Sequence, residues 1–333
     1  MCAVTRPLAP EAGGKAWPLV TVGIPTRDRA RTYLRETLSS AVTQTYSRIE
    51  IVVSDNCSVD ETEAVVSEVT DPRVRYFRHR EDIGANGNFN FCLGQARGDY
   101  FLLLHDDDRI DHDFVESCMR AADYRTDLGI IRTGTRIIDA QGIVLRELPN
   151  GVVGVPTEAF FRGWFAGRTT LYLCSTLFNT KRLREAGGFA SPHHVFQDAF
   201  AMIRLAAVFG RADVNEVKAS FRRHPAGRTF STRVGDWCED SLALLDLMCD
   251  LATDDKEAVR TEGLRFFAGL NYGRAAEARS PLRRLAGYGV VCRKFNYRYA
   301  PSRSALYRLL DGTALFSVAR YAKRKVKQQF SVG

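Results

Sequence analysis

Three short apolar runs, Leu19-Val-Thr-Val-Gly-Ile24, Ile49-Glu-Ile-Val-Val-Ser54 and Tyr100-Phe-Leu-Leu-Leu104, each stop at polar residues, and helical spacing occupies the intervals between them. Runs of this length that are apolar at most positions suit strands covered on both faces, as in a parallel sheet with helices on either side. From Tyr33 to Gln44, Leu34, Leu38, Ala41 and Val42 fall at helical spacing; a second helix is expected from about Asp60 to Val69 and a short strand at Val74 to Phe77. The loop Ile83-Gly-Ala-Asn-Gly-Asn-Phe-Asn90 then leads into a helical stretch to about Arg97. This alternation predicts an α/β layer whose ligands sit beyond the carboxyl ends of the strands. Further on, Ile130 to Leu145 reads as a hairpin turning at Asp139-Ala-Gln-Gly142, Leu171 to Phe178 as a strand, and Gln197 to Phe209 as an amphipathic helix. From about Gly235 the pattern is helical, with no further strong strand signal.

The strand ends carry the residues with chemistry: Pro25-Thr-Arg-Asp28, Asp55-Asn56 and His105-Asp-Asp-Asp108. Three consecutive carboxylates repel one another, and holding them ionised together costs free energy unless a cation neutralises them. Hard oxygen ligands suit Mg²⁺ or Mn²⁺, which commonly share their coordination with substrate phosphates. The alternative is a solvated turn favouring the N-terminus of a helix starting near Asp111; three aspartates directly on a buried strand end favour the metal. Asp55 could accept the N3–H of uracil or thymine or the N1–H of guanine, or close an Asx-type turn. Arg27 and Asp28 are equally open between nucleotide contacts and turn residues. Asp198, near the start of its helix, is either a favourable charge at a helix N-terminus or a general base held against an acceptor hydroxyl. Spacing does not choose between them.

A chain of 333 residues is long enough for two domains and a substantial core. Its formal charge is +8, but the segment from Arg293 to Gly333 holds 10 basic and 1 acidic residues, leaving 37 and 38 elsewhere. The body is near neutral, which disfavours nucleic acid as a partner. In the closing stretch, Leu315, Ala319, Ala322, Val326 and Phe330 form one helical stripe, with Arg320, Lys323, Arg324 and Lys327 largely opposite. This reads either as a packed helix with a basic solvated face or as an attachment to an anionic membrane surface. Eight cysteines without a CxxC pair suggest reduced thiols, and no run of about 18 apolar residues or signal-type h-region occurs. The expected location is cytoplasmic, with peripheral membrane attachment as its variant.

The order of motifs resembles the family 2 inverting glycosyltransferases of the GT-A fold: VTVGIPTRDR, IVVSDNCSVD, IGANGNFN, ARGDYFLLLHDDD, AGGF, FQDAF and FRRH, over about Leu19 to His224. The resemblance implies a GT-A sheet with helices on both faces at 19–225, after a leader at 1–18 and before a helical region with a basic end at 226–333. It implies donor contacts at Pro25, Thr26, Arg27, Asp28, Asp55, Asn88 and Asp106, and metal ligands at Asp107, Asp108 and His224. It makes Asp198 the catalytic base and places weaker acceptor contacts at Trp164, Tyr172, Ser175 and Thr176. A Mn²⁺ or Mg²⁺ ion, a nucleotide-sugar donor (UDP- or dTDP-sugar first, GDP-sugar next) and a glycan, lipid-linked or small-molecule acceptor follow from it. So does a part in surface polysaccharide biosynthesis, with hexosyl- or deoxyhexosyl-type transfer. The family's Asp-x-Asp register places its first aspartate at His105, Gln197 stands where a Glu usually precedes the base, and no QxxRW motif follows. Alternatives are a sugar-nucleotide pyrophosphorylase, which would want a glycine-rich loop after the first strand, and a nonenzymatic carbohydrate- or nucleic-acid-binding protein.

Overall fold

The structure is a computed structural model that describes residues 17–224, 232–278, 280–302 and 305–306. Strand β1 (Val20–Thr26) pairs in parallel with β2 (Ile49–Asp55) and β4 (Tyr100–Leu103), and β2 pairs in parallel with β3 (Val74–Arg78). The intervening helices are α1 (Leu34–Val42), α2 (Thr62–Ser67) and α3 (Gly84–Gln95). The sheet continues as a mixed one. Strand β8 (Thr176–Asn179) runs antiparallel to β4, β6 (Ile130–Ile138) antiparallel to β8, and β9 (Arg211–Arg222) parallel to β6. Two short strands, β5 (Arg109–Ile110) on β9 and β7 (Val144–Leu148) on β6, complete nine strands among the described residues.

Alternation along the central strands divides the core in two. Val20, Val22, Ile24, Ile51, Val53, Leu102 and Leu104 pack with Leu34 and Leu38 of α1 and with Val115 and Met119 of α4 (Phe114–Ala121). Phe101 and Leu103 face the other way, into a cluster with Cys92 and Leu93 of α3. Gly23 in β1 is required by that second layer, because a Cβ there would lie 2.7 Å from the Phe101 ring and 2.9 Å from Cys92. The same cluster takes in Phe160 and Phe161 of α5 (Thr157–Phe165), Leu183 of α6 (Thr180–Glu185), and Met202 and Leu205 of α7 (Gln197–Phe209). It runs on without a break into Leu244 of α8 (Val234–Leu251), Phe267 and Tyr272 of α9 (Lys256–Ala276) and Tyr288 of α10 (Pro281–Lys294). The C-terminal helices therefore share a core with the sheet.

The expected hairpin forms, with Asp139 Oδ1 accepting from the backbone N–H groups of Gln141 and Ile143. Three details differ from expectation. The segment expected as a strand from Leu171 opens with a 3-10 turn at Leu173–Ser175 before β8. Strand β9 carries no hydrophobic run and was not legible; eight of its residues still pair with β6, so tertiary register outweighs the low strand propensity of its Asp, Asn, Glu and Lys. Trp17 and Pro18, expected in the leader, belong to the packed body: Trp17 stacks on Tyr46 and Tyr124, and Tyr46 Oη donates to the Pro18 carbonyl at 2.7 Å. The basic closing stripe at 313–330 lies outside the described residues. No described helix is long and apolar enough to cross a membrane. The described cysteines are free thiols.

Candidate active site

The turn after β4 is held from several directions. Arg222, at the end of β9, has its side chain almost fully buried. Its Nε donates to the Asp107 carbonyl at 2.8 Å, and its backbone N–H donates to Asp108 Oδ1 at 2.9 Å. Its guanidinium also pairs with Glu36 of α1 at 2.6 Å and stacks over the Tyr33 ring at 4.2 Å. Thr37 Oγ1 donates to the Asp108 carbonyl at 2.7 Å. Such clamping fixes where the three carboxylates point.

Within this frame His105, Asp107 and Asp108 each present a ligand atom, all lying within 4.8 Å of one another. His224 Nε2 stands 2.7 Å from Asp107 Oδ2. Asp106 turns toward the loop after β1, where its Oδ2 accepts the Arg27 N–H at 3.3 Å and its Oδ1 lies 3.8 Å from Arg29 Nε. Burial, and then the adjacent Asp107, push the Asp106 carboxyl up to about 7. Burial and Asp107 likewise push Asp108 well above the usual carboxylate range, while burial pushes His105 down. His105 Nε2 is buried with no hydrogen-bond partner. Carboxylate oxygens and imidazole nitrogens in this arrangement fit a divalent cation.

Asp198 sits in the first turn of α7, its Oδ1 accepting from the Ala199 N–H at 2.8 Å. Burial pushes its carboxyl up to about 6, close to where a general base operates best. Gln197, before it, lies against Asn86 of α3. Tyr172 stacks on Phe221 at 4.3 Å, and its hydroxyl feels the charges of Arg223, Asp108 and Asp198.

Other expected site residues have structural duties. Asp55 is fully buried; its Oδ1 accepts from the Ser58 N–H at 2.9 Å and its Oδ2 from Tyr76 Oη at 2.6 Å, which is the turn reading. Asn88 is buried and bonded to Ser54 through both ends of its amide, tying α3 to β2. Asp28 takes a left-handed conformation (φ 54°) and accepts the Val59 N–H at 2.8 Å. Pro25 and Thr26 are buried residues of β1. Arg27 remains half-exposed and pairs with Asp82, which also accepts from Asn56 at 2.6 Å and from the Gly84 N–H at 2.8 Å. On the acceptor side, Ser175 and Thr176 are fully buried, and their hydroxyls donate to the Tyr172 carbonyl. Trp164 packs against Phe165, Phe266 and Phe267. These rings and hydroxyls serve packing and local hydrogen bonding. Arg29, Glu36 and Arg222 carry no local signal of their own in the sequence, although Arg222 lies in the FRRH motif, two residues before His224.

The sequence model of Glycosyl transferase family 2 matches residues 21–204. An uncharacterized glycosyltransferase of Rickettsia felis is 32% identical over 207 residues, covering 57% of this chain and 32% of that protein. A Campylobacter jejuni protein, GalNAc(5)-diNAcBac-PP-undecaprenol beta-1,3-glucosyltransferase, is 28% identical over 176 residues, covering 50% of this chain and 55% of its own. The chain thus spans between about a third and about half of the length of these relatives. Among solved structures, S. aureus TarS 1-349 in complex with UDP-GlcNAc superposes with a TM-score of 0.57 at 15% identity, over 83% of this chain and 89% of that one. The mannosyltransferase PcManGT of Pyrobaculum calidifontis, in complex with GDP-Man and Mn²⁺, gives 0.55 at 16% identity, over 95% and 88%. The strand order, the carboxylate turn after β4 and a family match across more than half of the sequence agree, and the chain belongs to glycosyl transferase family 2, with the GT-A fold.

Proposed function

We propose that the chain is a metal-dependent inverting glycosyltransferase that moves a sugar from a nucleoside diphosphate donor to a hydroxyl of a glycan, lipid-linked or small-molecule acceptor. The observation that supports this reading is the cluster after β4, where His105, Asp107 and Asp108 bring ligand atoms within 4.8 Å of one another and His224 stands 2.7 Å from Asp107. Asp107 and Asp108, with His105 and His224 beside them, would hold Mn²⁺ or Mg²⁺. Such an ion, when bound, offsets the negative charge that builds on a departing diphosphate. Asp198 takes the proton of the acceptor hydroxyl as its oxygen bonds to the anomeric carbon and the bond to the diphosphate oxygen breaks. One displacement inverts the anomeric centre. Asp106 and the arginines around it, Arg27 and Arg29, border the donor phosphates.

UDP- and dTDP-sugars are the first donors to try and GDP-sugars the next; the donors bound by TarS and PcManGT, UDP-GlcNAc and GDP-Man, span both kinds. The names of two relatives support a place in surface glycan assembly, the undecaprenol-linked glucosyltransferase above and the succinoglycan biosynthesis protein ExoO of Rhizobium meliloti. Incubating the protein with a panel of nucleotide sugars and Mn²⁺, without acceptor, is expected to release the nucleoside diphosphate slowly from one of them, and chelation to stop it. Release of nucleoside diphosphate from none of the panel, with or without Mn²⁺, would sink the reading.

Membrane attachment is part of the proposal. On α10, Leu282 and Leu285 are 79% and 58% exposed, with exposed Arg283 in the same turn and exposed Arg293 in the helix's last turn. Each basic side chain near an anionic bilayer contributes about 1 kcal/mol. Full-length protein is expected to co-sediment with anionic vesicles more strongly than with neutral ones, and Leu282→Ser with Leu285→Ser to weaken that binding. Equal sedimentation with both vesicle types would remove the attachment from the reading.

A further inference from the structure

The C-terminal helices bring one cation to the base. Phe196, two residues before Asp198, packs edge-on against Trp237 of α8 with ring centroids 5.1 Å apart. Over the Trp237 ring, 3.4 Å from its centroid, lies the guanidinium of Arg274 from the last turn of α9. This cation feels the charges of both Asp198 and Tyr172. A guanidinium whose face is covered by an aromatic ring keeps its in-plane N–H groups for other partners. Here Nε is buried without a hydrogen bond, and Arg274 makes no ion pair among the described residues, with Asp198 or with Glu277 one turn along. Burial lowers Arg274 to about 10, which still leaves it charged at neutral pH. Leaving a buried guanidinium nitrogen without an acceptor is costly unless a ligand supplies one. Arg223, just past the end of β9 and two residues after the Phe221 that stacks on Tyr172, is a second cation; it is exposed and makes no side-chain bond among the described residues.

We propose that Arg274 and Arg223 form an anion subsite beside Asp198, so that the acceptor hydroxyl delivered to the base belongs to a molecule carrying a phosphate group. Two guanidiniums from separate elements suit a tetrahedral anion with several acceptor oxygens better than a carboxylate. The inference rests on Asp198 being the base of a glycosyltransferase, and it adds the chemical class of the acceptor.

The test uses full-length protein free of divalent ion and nucleotide, titrated with inorganic phosphate while tryptophan emission is followed, since Trp237 touches the proposed cation. Saturable binding is expected, weakened roughly tenfold or more by Arg274→Gln, as for the loss of hydrogen bonds to a charged group. Arg223→Gln should weaken it severalfold and Arg274→Lys less than Arg274→Gln. Mn²⁺-dependent UDP binding checks that each variant is folded, and the exposed Arg223 gives an independent reading should Arg274→Gln not fold. Competition by glycerol 3-phosphate points to a soluble acceptor and competition by phosphatidic acid vesicles to a lipid-borne one; either supports the subsite when it depends on Arg274. Equal phosphate affinity in wild type and both Gln variants, or acetate binding as tightly as phosphate, overturns the proposal. Nucleotide-sugar hydrolysis by the wild type is measured separately, so a failed subsite is not confused with a failed glycosyltransferase assignment.

Discussion

Asp198→Asn is expected to stop sugar transfer while making the protein more stable. The two effects have one origin. Burial raises the Asp198 carboxyl to about 6, against roughly 3.9 for an aspartate in an unfolded chain. Because the folded state holds this proton more tightly, the group's contribution to stability is greatest at acid pH and is lost as pH rises from about 4 through 6. At neutral pH the ionised form therefore costs the fold about 3 kcal/mol, at roughly 1.4 kcal/mol for each pKa unit. Asparagine keeps the shape and removes the charge, so the melting temperature should rise by a few degrees, while the lost base costs roughly 10²- to 10⁴-fold in rate. In the wild type the same ionisation should appear as an acid limb in the rate, with activity falling as pH drops below about 6. Binding of UDP with Mn²⁺, which does not involve Asp198, should survive. A variant that keeps transfer but loses UDP binding would place Asp198 on the donor side and reverse the assignment.

What could be read from the sequence was what short-range pattern encodes. The central strands were legible because burial on both faces makes Val20 to Ile24 and Tyr100 to Leu104 nearly continuous in apolar residues, and the chemistry was legible because it clusters where those runs stop. Strand β9 was not, since its place depends on pairing with β6, about 80 residues earlier, rather than on its own composition. Asp55 and Asn88 carry structural bonds that the sequence pattern does not announce. Both stand where donor contacts are expected, and their polar atoms also join Ser58, Tyr76 and Ser54. Long-range partners escaped altogether: nothing near Asp198 in sequence announces Arg274, and nothing near Asp107 announces the pairing of Arg222 with Glu36.

The second large effect is expected at Asp107. Its carboxylate contributes to the upward shift of both Asp106 and Asp108, and its Oδ2 meets His224 at 2.7 Å, so it is the member of the cluster through which the others are coupled. Asp107→Ala should relieve repulsion in the metal-free protein and leave its melting temperature no lower than that of the wild type. The loss should appear only when ion is added. A ligand present at 100 times its dissociation constant stabilises the folded state by about 2.7 kcal/mol, and this Mn²⁺-induced rise in melting temperature should vanish in the variant together with calorimetric binding of UDP. Asp106→Asn provides the contrast: Asp106 faces Arg27 and Arg29 rather than the histidines, so that variant should keep the Mn²⁺ shift and lose UDP affinity. An intact Mn²⁺ shift in Asp107→Ala would move the ion away from the turn after β4, and with it the leaving-group half of the proposed chemistry, whereas the assignment of Asp198 rests on separate measurements and would stand.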